Sequence, residues 1–382
     1  MFGPGVSAEV GRFLRSNCIG VGRVFVVADR AVADAGLLST MLAGLIDLGF
    51  RVEVFDDIEG EPDEAVTDRA AERAKAGEGA VAIVGFGGGS ALDVAKLVAL
   101  LSRNEGHVRN WLGIVEPASA VAPLVLIPTT SGTGAEATRI AMVTVDDKKR
   151  AVSCAQFLPL LAVLDESLVA ALPAEVVATT GMDAVAHGVE SMLSTNRSIF
   201  TVALATEAVQ ILMSELEGAV LREDVKARGR LLYAAHLSGL ALNAGVVMGH
   251  SVAYVIARHA PVSHGTSCAL ALPYCLAYNQ GIDDALAGHI ARTLTDGARS
   301  SLQAGAEAVD SLTDRIGLPR SLAAVGIAES ELDQMVDEIV ADYPRPNNPV
   351  SLEATALREL LSYMHKGDVT TPWIVTTERT RH

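Results

Sequence analysis

The amino-acid sequence predicts two domains of different class: an α/β domain built on a parallel sheet, followed by a domain that is all helical. At 382 residues the chain is longer than one ordinary hydrophobic core requires. Through the first 165 residues, short runs rich in β-branched residues alternate with helical stretches, which is typical of a parallel sheet covered on both faces. Beyond that point the β-rich runs disappear. We therefore assign residues 1–165 to the α/β domain and residues 166–382 to the helical domain.

Both domains are predicted from the spacing of their apolar residues. In the first domain we predict strands at residues 23–28, 51–55, 80–85 and 124–127, and helices at 31–48, at 63–76 and after the third strand. In the second we predict helices at residues 174–194, 199–217, 224–243, 250–258, 265–278, 282–316, 330–342 and 351–364. The polar end of the chain, residues 370–382, is expected to be loosely ordered.

The charge of the chain excludes two classes of partner. Asp and Glu number 46 and Lys and Arg 30, which gives a formal net charge of −16. Such a surface repels nucleic acid and anionic membranes, and no basic run offsets it. The N-terminus lacks the pattern of a signal peptide, and no stretch of 18 apolar residues is free of charge. The four cysteines show neither metal-binding spacing nor a disulfide framework, so we expect reduced core thiols in a cytoplasmic protein.

Two glycine-containing loops each follow a predicted strand. In the first, Gly87, Gly88 and Gly89 precede Ser90, and Ser90 with Asp93 fits a capping pattern that starts a helix at Ser90. Bare glycines and free N–H groups at a helix N-terminus suit a pyrophosphate, although a tight turn without a ligand is the alternative. The second loop, with several hydroxyl side chains and two glycines, follows the fourth strand, and two such loops on one sheet favour ligand binding.

The candidate acid for a nucleotide ribose is Asp29, at the end of the first predicted strand. A carboxylate there would accept hydrogen bonds from ribose hydroxyls and repel a 2′-phosphate. It precedes the glycines, whereas the acid of the G-x-G-x-x-G pattern follows them. The alternative is that Asp29 caps the helix that begins after it.

A metal site is predicted in the helical domain. Asp183 and His187 are four residues apart in a helical segment and therefore share one face, where a buried Asp–His hydrogen bond is the alternative. His250 and His264 lie 14 residues apart in a second apolar region, and the sequence leaves His259, between them, open as a ligand. One carboxylate with three imidazoles suits Fe²⁺ or Zn²⁺ and leaves a position for a substrate oxygen.

Four motifs together resemble those of the iron-containing (group III) alcohol dehydrogenase family. They are GGGSALDVAK at 87–96, IPTTSGTGAEAT at 127–138, GMDAVAH at 181–187, and GH with HG across 249–265. The resemblance implies a metal- and NAD(H)-dependent enzyme that interconverts a small alcohol or hydroxyacid and its carbonyl compound. It also implies a homo-oligomer, with a dimer as the expected form.

The resemblance implies roles for individual residues. The metal ligands would be Asp183, His187, His250 and His264, which would bind Fe²⁺, with Zn²⁺ as the alternative. Asp29 matches the family's acid that favours NAD over NADP. The residues implied to contact the cofactor are Asp29, Gly87, Gly88, Gly89, Ser90, Asp93, Thr129, Thr130 and Thr133.

Two positions depart from the family's pattern. Ala135 replaces a serine, and Tyr254 replaces a second histidine four residues after His250. Tyrosine there resembles the hydroxyacid–oxoacid transhydrogenase branch, which makes such an enzyme one alternative. We predict that His250 and Tyr254 are catalytic, with Tyr254 passing a proton or orienting substrate, and packing in the helical core is its alternative role.

Two further classes of protein remain as alternatives. A lyase of the dehydroquinate-synthase type would also use NAD and a metal. It would need a basic cluster to bind a phosphorylated, carboxylated substrate, and the sequence around the predicted metal and cofactor motifs is poor in Lys and Arg. A ligand-binding relative without activity is disfavoured because the predicted metal ligands are all present.

Overall fold

The structure is a computed structural model that describes residues 1–373. These residues form two compact units, the first covering Met1–Leu172 and the second beginning at Pro173. The sequence places its domain boundary after residue 165. The expectation of loose order for residues 370–382 falls largely outside the described residues.

The first unit is an α/β unit, as the sequence predicts. Its strands are β1 (Arg23–Asp29), β2 (Arg51–Ile58), β3 (Ala82–Gly87), β4 (Gly113–Ile114), β5 (Leu124–Pro128), β6 (Ile140–Val145), β7 (Lys148–Ser153) and β8 (Leu161–Ala162). Its α-helices are α1 (Val10–Ser16), α2 (Arg30–Asp34), α3 (Ser39–Asp47), α4 (Glu64–Lys75), α5 (Gly89–Leu101) and α6 (Glu166–Val169). The predicted α/β class is therefore confirmed.

A parallel sheet with strand order β2-β1-β3-β5-β8 forms the centre of this unit. Both faces of the sheet are apolar because helices cover both. Phe25 and Val27 of β1 contribute to one hydrophobic cluster, while Val24 and Val26 contribute to the other. The carboxyl ends of β1, β3 and β5 lie side by side, which brings together the residues that follow each strand.

Three features of the first unit and one of the second differ from the sequence-based expectation. Residues 31–48 form two helices because Gly36, with φ of 70°, ends the first. Residues 140–153, for which we predicted no strand, form an antiparallel hairpin whose turn places Asp146 and Asp147 in the left-handed region, and β4 pairs with it. In the second unit, residues 282–316 form two helices separated near Gly297, which has φ of 77°. In the first unit, α5 also begins at Gly89, not at the predicted Ser90.

The second unit is helical, and residues 173–373 contain no strand, which confirms the predicted class. Its helices are α7 (Ala174–Leu193), α8 (Ile199–Leu221), α9 (Val225–Ala241), α10 (Met248–His259), α11 (His264–Tyr278), α12 (Asp284–Leu294), α13 (Leu302–Arg315), α14 (Leu332–Asp342) and α15 (Ala354–Lys366). By length and composition α8 could cross a bilayer, and the bent pair Val225–Ala244 and Met248–His259 passes the same test when taken as one span. Core helices of soluble proteins also pass it.

Candidate metal centre and nucleotide site

Three helices of the second unit bring the four predicted metal ligands together. Helix α7 presents Asp183 and His187 one turn apart, while His250 lies in the first turn of α10 and His264 begins α11. The Oδ1 atom of Asp183 lies 3.6 Å from Nε2 of His187, 3.6 Å from Nε2 of His250 and 3.7 Å from Nε2 of His264. One carboxylate oxygen therefore faces three imidazole nitrogens.

The spacing of these donor atoms fits a metal ion better than a hydrogen-bond network. Distances of 3.6–3.7 Å are longer than an ordinary N–H···O hydrogen bond, which is about 2.9 Å. A tetrahedral ion with bonds of about 2.1 Å has ligand atoms about 3.4 Å apart. The observed separations between the donor atoms are close to that distance. The donor set, carboxylate and imidazole, is one that Fe²⁺ and Zn²⁺ accept.

A cysteine belongs to the same cluster. The Sγ atom of Cys268 lies 3.4 Å from Oδ1 of Asp183, 3.8 Å from Nε2 of His250 and 3.6 Å from Nε2 of His264. Cys268 is a buried free thiol, as expected, but it also lies among the candidate metal donors, which the cysteine spacing did not predict. Cys18 is exposed, so the expectation of a core thiol was wrong for that residue. The spacing rule that paired Asp183 with His187 could have found Cys268, because it follows His264 by four residues on one helix.

Glu190 orients one of the predicted ligands, and sequence reasoning missed it. Its carboxylate accepts a hydrogen bond from Nδ1 of His250 at 2.6 Å, and it also accepts from the backbone N–H groups of Val247 and His250. With the proton held on Nδ1, the lone pair of Nε2 points to Asp183. A carboxylate that fixes a histidine in this way is a common support of metal sites. Glu190 lies one turn beyond His187 on α7, which is the signal that could have identified it.

The electrostatics of the cluster favour a bound cation. Burial raises the pKa of Asp183, but three facing imidazoles outweigh burial and hold that pKa below its ordinary value. Burial lowers the pKa of His250, but its neighbours, Cys268 first and then Glu190, raise that pKa well above the ordinary value. Burial raises the pKa of Cys268 to about 12, so the thiol keeps its proton near neutrality unless a cation replaces it. The shifts of Asp183 and His250 both favour positive charge among the donors.

Two glycines allow these helices to approach each other closely. A Cβ at Gly265, next to His264, would lie 2.0 Å from the backbone oxygen of Thr179 on α7. A Cβ at Gly249, next to His250, would lie 2.6 Å from Oε1 of Glu190. Both contacts are far shorter than van der Waals separation. The glycines of the GH and HG motifs are therefore required by packing at the candidate metal site.

Tyr254 lies beside the cluster, and His259 lies away from it. The ring of Tyr254 stacks on that of His264, with centroids 5.2 Å apart and planes 15° apart, and meets His250 edge-on at 6.0 Å. Both ring nitrogens of His259 face carboxylates instead, those of Glu331 at 3.1 Å and Glu338 at 3.3 Å. The ambiguity between His259 and His264 is thereby resolved in favour of His264 as the member of the cluster.

The glycine loop of the first unit contacts the carboxylate of Asp29. The backbone N–H of Gly88 donates to Oδ2 of Asp29 at 2.6 Å, and Asp29 makes no capping hydrogen bond to the helix that follows it. Gly87 has φ of 156°, and a Cβ there would lie 2.4 Å from Oδ2 of Asp29. A Cβ at Gly89 would lie 2.6 Å from Cγ2 of Thr133, so the two loops touch. Burial raises the pKa of Asp29, and the bond from Gly88 opposes that shift.

The remaining predicted cofactor residues occupy different positions around these loops. The Thr130 side chain lies beside Gly88, and the backbone N–H of buried Thr129 donates to Gly87 O at 2.9 Å. The capping role of Ser90 and Asp93 was wrong: α5 begins at Gly89, its N-cap is Gly88, and no side chain caps it.

The side chain of Asp93 instead forms a hydrogen bond with the backbone of β6. Its Oδ2 accepts from the backbone N–H of Met142 at 3.0 Å, and its Oδ1 lies 3.5 Å from Nζ of the buried Lys96. These partners explain why the carboxylate is not at the helix end. Contact of Asp93 with a cofactor, like that of Ser90, stays a prediction.

Comparison with known proteins places the chain in a family. Residues 1–166 match the family model described as iron-containing alcohol dehydrogenase, and residues 177–364 match the model of the family's C-terminal part. The 4-hydroxybutyrate dehydrogenase of Cupriavidus necator is 32% identical, over 91% of this chain and 94% of the relative. The NAD-dependent methanol dehydrogenase of Bacillus methanolicus is 28% identical, over 91% and 93%. The structure of an alcohol dehydrogenase from Oenococcus oeni superposes with a TM-score of 0.89 at 27% identity, over 95% of this chain and 97% of that chain. The chain therefore belongs to the iron-containing alcohol dehydrogenase family, whose named members here are oxidoreductases that act on CH–OH groups.

Proposed function

We propose that this protein is a metal-dependent, NAD(H)-linked dehydrogenase that interconverts a small alcohol or hydroxyacid and the corresponding aldehyde, ketone or oxoacid. The observation that carries the proposal is the buried group of donor atoms around Oδ1 of Asp183 in the second unit. Its carboxylate and imidazole atoms have the spacing and the charge that a divalent cation needs. We assign the metal-binding role to residues 166–382 and the cofactor-binding role to residues 1–165.

Asp183, His187, His250 and His264 are the proposed ligands, with Fe²⁺ as the metal and Zn²⁺ as the alternative. When bound, the ion supplies Lewis acidity toward the oxygen of the alcohol or carbonyl. Glu190 keeps the Nδ1 proton of His250 in place, so that Nε2 stays available as a donor.

Asp29, the glycine loop and the three threonines are proposed to hold NAD, which supplies the hydride acceptor. The backbone N–H groups at the start of α5 suit the pyrophosphate. A carboxylate at Asp29 accepts from ribose hydroxyls and opposes the 2′-phosphate of NADP. Since Asp29 already accepts from Gly88, its orientation does not depend on the cofactor.

Tyr254 is proposed to hold or pass the proton of the substrate hydroxyl, or to orient the substrate. It packs on His264 and meets His250, so its ring is fixed next to the proposed ligands. A phenol whose position is set by packing is suited to a directed hydrogen bond. Tyr254→Phe is expected to lower turnover and leave metal content unchanged.

The test combines metal analysis with kinetics on the full chain. After reconstitution with Fe²⁺ or Zn²⁺, the wild type should form NADH from alcohols or hydroxyacids and oxidise NADH with the carbonyl compounds. His264→Ala should lose metal and activity together, whereas the exposed control His107→Ala should lose neither. A fully metallated and active His264→Ala protein would refute the assignment of His264 as a metal ligand.

Cofactor choice is tested separately. The wild type should be more efficient with NADH than with NADPH, and Asp29→Gly should narrow that preference. Equal efficiency of the wild type with both cofactors would contradict the role of Asp29. We further propose that the protein is a cytoplasmic homodimer that acts on small molecules. Sedimentation of the purified protein tests its oligomeric state.

A further inference from the structure

An arginine of the second unit lies over the proposed catalytic tyrosine. The guanidinium carbon of Arg345 is 5.8 Å from the centroid of the Tyr254 ring. That ring stacks on His264 and meets the edge of His250. A single aromatic side chain therefore contacts two proposed metal ligands and one cation.

Arg345 has no side-chain partner of opposite charge among residues 1–373. It is half-buried, and its Nε atom is buried without a hydrogen-bond partner in that part of the chain. Arg258 of the same unit, by contrast, pairs with Glu338 and Asp342. In a chain with 46 acidic residues and 30 Lys and Arg, an arginine left without a carboxylate is notable. Buried polar groups usually have partners, so a ligand is the expected partner here.

The backbone around Arg345 is held in place. On one side, the carbonyl oxygen of Tyr343 accepts from Oγ of Ser251 at 2.7 Å. On the other, Nδ2 of Asn347 donates to the carbonyl oxygen of Val246 at 2.9 Å. Tyr254 and Ser251 both belong to α10, so the arginine and the tyrosine are positioned by the same helix. A fixed guanidinium is suited to recognise a planar anion through paired hydrogen bonds.

We propose that Arg345 binds the carboxylate of the substrate, so that the physiological substrate is a hydroxyacid and its oxoacid or aldehyde acid rather than a neutral alcohol. This inference rests on the proposed dehydrogenase function, because it places the reacting CH–OH group at the metal cluster. The guanidinium supplies two parallel N–H donors to the carboxylate, while Tyr254 contacts both the cation and the proposed ligand His264. The phosphates of a nucleotide offer the same anionic chemistry and are the other source that the test must separate.

The kinetic test compares each hydroxyacid with the diol of equal length. The pairs are glycolate with ethylene glycol, 3-hydroxypropionate with 1,3-propanediol, and 4-hydroxybutyrate with 1,4-butanediol. The wild type should favour at least one hydroxyacid over its diol. In Arg345→Met the ratio of the two kcat/KM values should fall at least tenfold, largely through KM, and Arg345→Lys should restore part of it. Arg358→Met, which removes a partly exposed arginine that pairs with Asp333, should leave the ratio unchanged.

An equilibrium test separates failure of this inference from failure of the proposed function. Calorimetric titration of the metal-loaded protein with butyrate should show binding that weakens at least tenfold in Arg345→Met. Butyrate binding that is equal in both proteins, or a loss of NAD⁺ affinity with unchanged butyrate binding, would overturn the inference. If the wild type oxidises neither diols nor hydroxyacids, the proposed function fails, and the butyrate titration still decides the role of Arg345.

Discussion

Replacing Gly265 with alanine is the most direct test of how the candidate metal site is assembled. The new Cβ would lie 2.0 Å from the carbonyl oxygen and 2.5 Å from the carbonyl carbon of Thr179. Both atoms belong to the backbone of α7, so no side-chain rotation relieves the contact. Carbon and oxygen atoms in close contact are normally about 3.3 Å apart, so α11 must move from α7 by roughly 1.3 Å.

This displacement is large compared with what a metal site tolerates. Helix α7 carries Asp183 and His187, and α11 carries His264 and Cys268, so the helices that must separate are those that hold the donors. Ligand distances in metal sites vary by only about 0.2 Å. We expect metal affinity to fall at least tenfold, and the free energy of unfolding to fall by about 1–3 kcal/mol, as is typical of an overpacked core.

The assay is a competition titration of Zn²⁺ or Co²⁺ against a chromophoric chelator, together with thermal unfolding with and without metal. Gly288→Ala is the matched control, because its Cβ would approach only the flexible end of Arg292, at 3.1 Å. Wild-type metal affinity in a folded Gly265→Ala protein would refute the reasoning, since it would show that the cluster does not depend on the close approach of α7 and α11.

Three further predictions concern single side chains. Co²⁺-loaded wild type should show no near-ultraviolet sulfur-to-metal charge-transfer band, because Cys268 is not among the four proposed ligands and burial raises the pKa of its thiol to about 12; a band that is lost in Cys268→Ser and kept in Cys275→Ser would contradict that ligand set. Glu190→Gln should weaken metal binding roughly 10- to 100-fold, because its hydrogen bond to Nδ1 of His250 orients that ligand; unchanged affinity would contradict this role. Burial raises the pKa of Asp165, but hydrogen bonds, from Ser167 first, outweigh it and leave that pKa below the ordinary value. The stability that the ionised Asp165 contributes is therefore complete above about pH 4 and is lost at lower pH. The difference in urea midpoint between wild type and Asp165→Asn should shrink from pH 7 to pH 3. A constant difference would show that the Asp165 carboxylate does not stabilise the fold through its charge.

The class of each domain was predictable because burial leaves a strong periodic signal. In β3 every residue is buried, which requires a continuous apolar run that the sequence displays. The hairpin at residues 140–153 was harder to predict. It carries charged residues along β7 and turns through Asp146 and Asp147, two residues that are less typical of a tight turn than Asn-Gly.

The candidate site was predictable where its residues are close in sequence. The spacing of four residues identified Asp183 with His187, and the same rule applied to His264 would have identified Cys268. Contacts between distant segments left no such signal. The hydrogen bond of Asp93 to Met142 joins residues 49 positions apart, and the approach of Arg345 to Tyr254 depends on how the segment between α14 and α15 returns to α10.

The glycines of the sequence motifs have one physical role in both units. Gly87 makes room for the carboxylate of Asp29, Gly249 makes room for Glu190, and Gly265 makes room for the backbone of α7. A side chain at Gly87 would displace Asp29, which is proposed to bind NAD, and one at Gly249 would displace Glu190, which orients His250. A side chain at Gly265 would displace the helix that carries two of the proposed metal ligands. A larger residue at these positions should therefore reduce function through a shift of about 1 Å in neighbouring groups. Because this mechanism acts on donor placement, Gly249→Ala should lower metal affinity, whereas Gly87→Ala should lower NAD affinity and leave metal binding unchanged. Reduced metal affinity in Gly87→Ala would show that the two sites are not independent.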